Sequence, residues 1–217
     1  MKGLFVKDMR LLVQQKQFFI LLLVLSVVFS VNSGGTFAVG YLTFVGSFFV
    51  LSTINYDEND NGYAFLMTLP VMRKTYVRGK YVFGILLGIA AWLAGLLISA
   101  IVMMVNRQAF SISDILMESV LMLPCFGVLM AFMVPFQFKF GAEKGRVAIF
   151  IAAGFLAAGI YVIEEIIDRS GIQMKEIINS FSAVHFGLLV SVAFALSALA
   201  LFISCVISCR VMVKKEF

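Results

Sequence analysis

From Phe18 to Tyr56 the chain runs 39 consecutive residues without a formal charge. An α-helix rises about 1.5 Å per residue and the hydrocarbon core of a bilayer is about 30 Å thick, so this stretch is too long for one crossing and long enough for two. Asn32, Ser33, Gly34 and Gly35 form the turn-prone break between them. Further charge-free runs cover Tyr81 to Asn106, Ser119 to Phe138 and Val147 to Ile163, each suited to one helix. The last run, Ile177 to Cys209, is interrupted by Ser180, Ser182, His185 and Gly187, which leaves one span in its second part. The spacing predicts an all-α integral membrane fold and a single transmembrane domain over 1–217. Its six spans fall near 18–33, 36–55, 81–105, 114–138, 146–166 and 186–209.

Composition agrees. Hydrophobic residues make up 62% and charged residues only 13%, whereas an ordinary soluble domain carries about 25% charged residues. So little polar surface cannot coat a water-soluble globule, which excludes a soluble enzyme. The three cysteines, Cys125, Cys205 and Cys209, lie in apolar runs and imply no disulfide framework. Cys205 and Cys209 share a helix face, but no other soft ligand accompanies them, so packing explains them better than a metal. The net charge of +5 is dispersed near the ends of apolar runs, not gathered into a patch, and nucleic acid is not expected as a partner.

Lysine and arginine orient the chain, because short cytoplasmic loops retain them. Fourteen of the 17 fall on one side: Lys2, Lys7, Arg10 and Lys16, the cluster from Arg73 to Lys80, then Lys139, Lys144 and Arg146, and finally Arg210, Lys214 and Lys215. Arg107, Arg169 and Lys175 fall on the other. Both termini are therefore expected in the cytoplasm, with the lipid bilayer as the surrounding medium. Lys2 to Gln17 mixes Leu4, Phe5, Met9, Leu11 and Leu12 with Lys7, Asp8, Arg10 and Lys16. The pattern fits an interfacial helix over 1–17, or a plain extension of the first span. A cleaved signal peptide is not expected, since no A-x-A-like site follows.

An ionised group at mid-bilayer costs at least about 2.5 kcal/mol and marks an ion or proton path. Glu118, Glu164 and Glu165 all fall near the outer ends of spans, so ion-coupled transport has no midplane site here. Metal hydrolysis needs clustered ligands and a serine protease needs a base, yet His185 is the only histidine and lies at a boundary. Pro124 and Pro135 imply a kink in the fourth span. Gly84 and Gly88 form a G-x-x-x-G, and Gly154, Ala157 and Ala158 a second small face, suited to packing within the chain or between subunits.

The informative connection is 56–80. Asp57, Asn59, Asn61 and Gly62 match the first positions of a calcium loop, but its twelfth position is Thr68 and the bidentate carboxylate is missing. The alternative is a short helix: Asp60 or Asn61 caps its start, Tyr63 to Thr68 forms its body, and Pro70 disfavours helix before it. Asp57, Glu58 and Asp60 precede it, where the helix dipole favours negative charge. Arg73, Lys74, Arg78 and Lys80 then sit at headgroup level. The aromatic residues either meet a partner protein or dip into the lipid interface.

The interfacial helix, the six spans, the acidic stretch with its Gly62-Tyr63 pair, then Thr68-Leu69-Pro70-Val71-Met72-Arg73 and Lys80-Tyr81, resemble the membrane subunits of type-2 ABC transporters. The likeness is greatest to the short bacterial permeases that include the exporter of phenol-soluble modulins. It covers the whole chain in topology, and its most specific motif lies in 57–81. The resemblance implies a coupling helix at Gly62 to Thr68 seated in a groove of an ATPase subunit. Asp57, Glu58, Gly62, Tyr63, Phe65, Leu66, Met67, Leu69, Pro70 and Arg73 would be the ATPase-coupling residues. Larger subfamilies carry sizeable extracellular regions, which the short outer connections here do not provide.

No G-x-x-x-x-G-K-[ST] occurs, and Gly141-Ala-Glu-Lys-Gly145 is a basic loop, so this chain carries no nucleotide site of that kind and is not itself expected to be an enzyme. By resemblance, ATP and magnesium belong to two copies of a cytoplasmic ATPase, and a second permease copy completes a homodimer in the bacterial cell membrane. The implied function is export of amphipathic or hydrophobic peptides. The rival is an ATPase-coupled sensor or resistance module for antimicrobial peptides that does not itself transport.

Overall fold

The computed structural model describes residues 2–33, 37–58, 62–68, 72–106, 112–141 and 186–215, and all of the regular structure among them is helical. Helices α1 (Lys2–Gln14) and α2 (Lys16–Ser33) are bent by 65° at Gln15 and pass as a membrane crossing only when taken together. The bend separates an amphipathic segment from an apolar one. Alone, α2 reaches about 27 Å, close to the bilayer's hydrocarbon thickness.

Helix α3 (Phe37–Glu58) is the most enclosed of the crossing helices, and packs most extensively against α5 (Arg73–Val105). Their close approach rests on small residues: a Cβ added at Gly95 would lie 2.6 Å from the Cα of Val39, and one at Gly46 would lie 3.2 Å from Ala91. The Gly84 and Gly88 pair faces inward too, against Met130 and the ring of Phe126. The G-x-x-x-G stripe therefore serves packing within the chain. At about 50 Å, α5 exceeds the bilayer thickness, so several of its turns extend past the hydrocarbon core.

Helix α4 (Gly62–Thr68) lies between α3 and α5. Helix α6 (Ile112–Val120) ends in a turn at Leu121, and α7 (122–141) follows. Pro124 has no N–H to offer Val120 and its ring crowds that turn, which accounts for the break. Residues from Ile115 to Gly141 still pass together as one crossing. The last element, α8 (Phe186–Lys214), runs antiparallel to α5 and is mostly exposed along its apolar length.

Among the described residues four helices are long and apolar enough to cross a membrane, or up to five with the bent pair. The fifth expected span at 146–166, with Gly154, Ala157 and Ala158, lies outside the described residues, as do Glu164, Glu165 and His185. The core gathers towards one end, where Ile54, Tyr63, Leu66, Tyr76, Val77, Met133, Phe138 and Met212 pack together. Above it, Tyr81 bonds Ser204 at 2.6 Å and Ser208 at 2.8 Å, tying α5 to α8 with neutral groups.

Candidate functional site

Charged residues of α1, α3, α5 and the segment just past α8 meet around α4. Asp57, near the end of α3, is 5% exposed and engages three groups: Lys7 of α1 on one carboxylate oxygen, and on the other Lys80 of α5 at 2.8 Å and the Tyr76 hydroxyl, which donates at 2.7 Å. Lys80 also donates to Asp8 of α1 at 2.8 Å and to the Thr53 carbonyl at 3.3 Å. Sequence reasoning put Lys80 at headgroup level beside Arg73, Lys74 and Arg78, but it is only 2% exposed. Two carboxylates from two other helices neutralise it, which makes burial tolerable. Asp8 stands as the lone acid in a basic helix, and that was the available signal.

Both carboxylate oxygens of Asp57 are engaged by Lys7, Lys80 and Tyr76; Asn59 and Asn61 lie outside the described residues. Among the described residues no cluster of three metal-ligating side chains forms.

A second set closes the other side. Lys215, just past α8, pairs with Glu58 at 3.0 Å and lies 5.0 Å above the Tyr63 ring. Gly141 ends α7 at φ +77°, a conformation glycine adopts freely, and a Cβ there would meet the Glu58 carboxylate. Arg73, the first residue of α5, donates to the carbonyls of Met212, Val213 and Lys215 at 3.3, 3.0 and 2.7 Å. A guanidinium thereby satisfies two of the orphan carbonyls at the negative end of α8 and the one just past it.

This frame holds α4. Seven residues are too few for a helix to persist alone in water, so its stability comes from docking. Tyr63 is 3% exposed and meets the Tyr76 ring edge-on at 6.0 Å; Leu66 is 8% exposed in the same cluster. Burying each contributes about 1.5–3 kcal/mol. Burial above all, with the nearby Glu58 and Asp57 carboxylates, raises the Tyr63 hydroxyl beyond the ordinary tyrosine range, so it stays neutral. Gly62 approaches the Asp57 carbonyl so closely that a Cβ would lie 2.6 Å from it. Phe65 turns the other way and is 70% exposed.

Tyr63 and Leu66 thus face the chain itself, and Phe65 alone of the three faces out. Asp57, Glu58 and Arg73 each make ion pairs or hydrogen bonds within the frame, while Gly62 makes the tight approach. Leu69 and Pro70 lie outside the described residues, as does the side chain of Met67. The family resemblance pointed to the residues of 57–73 and included Lys80 without its burial, but Lys7, Asp8, Tyr76 and Lys215 were not singled out, because those partners come from other helices.

No curated protein and no solved structure matches the chain. A family model described as ABC-2 family transporter protein matches residues 3–213, which takes in α1 through nearly all of α8 and every residue of the frame except Lys215. That family is a membrane component, in keeping with the crossing helices described above. On this match across almost its whole length, the chain belongs to the ABC-2 family of transporter proteins.

Proposed function

We propose that the chain is the permease subunit of an ATP-driven exporter, that its charged end faces the cytoplasm of a bacterial cell, and that α4 is the coupling helix gripped by a separate ABC ATPase. The observation that carries this reading is the division of α4 into a buried face, Tyr63 and Leu66, and a projecting Phe65. A helix seated this way transmits force, since its inner face touches the core that joins α3, α5, α7 and α8. Two ATPases closing on ATP bind one permease conformation better than the other, and that difference drives the change of access. Two copies of the chain form the path. The uncharged middles of the spans favour amphipathic or hydrophobic cargo, and the family resemblance favours peptides within that class.

The test separates the two faces. Phe65→Asp lowers capture of the ATPase by about thirtyfold, as expected of a central interface aromatic, while the thermal midpoint of the purified permease stays unchanged. Leu66→Asp lowers that midpoint, because it buries a charge in the core. Undiminished capture by Phe65→Asp contradicts the proposal. In proteoliposomes holding the whole complex, ATP moves a labelled amphipathic peptide; a sensor that does not transport leaves it in place.

A further inference from the structure

At the charged end, α5 and α8 leave a groove of about 420 Å³ between them, on a side of α5 not used by the ion pairs around α4. Lys74 and Arg78 line it from α5, Arg210 and Lys214 from α8. Each pair is spaced i, i+4 and so lies on one helix face. All four are exposed, and among the described residues none has a carboxylate within ion-pair distance. No acidic residue lines the groove. Phe202, Cys205, Val206, Cys209 and Val213 form the rest of its wall, and Phe202 is 71% exposed.

The groove therefore has two unlike parts: four cations at its mouth, and an apolar wall that continues directly into the membrane-crossing length of α8. A ligand complementary to both carries a compact anion joined to a long apolar tail. We propose that this groove binds one anionic phospholipid, its phosphate held by Arg78 and Arg210 with Lys74 and Lys214 beside them, and an acyl chain lying along Phe202 and Val206. Guanidinium groups suit phosphate by their bidentate donor geometry, and basic pockets between crossing helices are recognised sites for such headgroups. A free phosphate would satisfy only the mouth and an uncharged lipid only the wall. The inference does not depend on the ATPase reading, since it uses no residue of α4.

The experiment uses the full chain in detergent without any ATPase, titrated with phosphatidylglycerol, phosphatidylcholine or inorganic phosphate, with bound lipid counted by native mass spectrometry. One phosphatidylglycerol is retained per chain, at least about tenfold more tightly than phosphatidylcholine, and millimolar phosphate does not displace it. Arg78→Gln with Arg210→Gln weakens retention roughly thirtyfold, at about fivefold per charge. Arg78→Lys with Arg210→Lys recovers part of the loss, which shows that the loss is not misfolding. The distant pair Arg10→Gln with Lys16→Gln changes retention by less than about twofold. Equal retention of the two lipids, displacement by phosphate, or the same loss in the distant pair would each overturn the proposal.

Discussion

Lys80 carries more of the architecture than any other single charge. It sits between Asp8 and Asp57, which come from helices far apart in sequence, and all three are nearly inaccessible. A buried ion pair adds little net stability over a well-packed apolar replacement, but removing one partner strands a charge and costs about 3–5 kcal/mol. Lys80→Met should therefore lower stability by about that amount. Lys7→Met should cost about 1 kcal/mol or less, because Lys7 is partly exposed and Asp57 keeps Lys80 and Tyr76. Thermal unfolding of the two variants in the same detergent checks this, and equal shifts would mean that Lys80 is not the hub. None of this could be read from spacing: a lysine at the mouth of a span looks solvated until its two carboxylates arrive from other helices.

At the scale of elements, most of the helices were legible because their cause is local. Charge-free runs of the right length predicted α2, α3, α5, α7 and α8, and the mixed pattern of 1–17 predicted α1. Gly62 to Thr68 was legible as a helix from Pro70 and the acidic residues before it, while its buried face was not, since Tyr63 is covered by Tyr76 and Lys215 from later in the chain. The ends of elements depend on such distant partners too. Met72 provides α5 with no side-chain cap, yet Arg73 next to it caps the far end of α8. Arg73→Ala should fray the last turn of α8, with amide hydrogen exchange at 211–215 rising about tenfold, as loss of a charged hydrogen-bond donor implies. Exchange there that stays at the wild-type rate would show that the cap is idle.

Across the whole molecule, the charged end joins α1, α3, α4, α5, α7 and α8 through ion pairs, ring contacts and carbonyl bonds, whereas further along α5 and α8 the pairing is between neutral hydroxyls. A displacement of α4 therefore reaches most of the bundle at once, which is what a subunit driven from outside needs. In the proposed mechanism the driving contact is made by the outward face of that seven-residue helix. It is tested most directly by placing a photo-crosslinking benzoylphenylalanine at position 65 in the assembled complex in native membranes, with position 101 on the exposed apolar side of α5 as the reference. Illumination should give a permease–ATPase adduct from position 65 and none from position 101. Adducts from position 65 to lipid alone, with the ATPase present and uncrosslinked, would contradict the account.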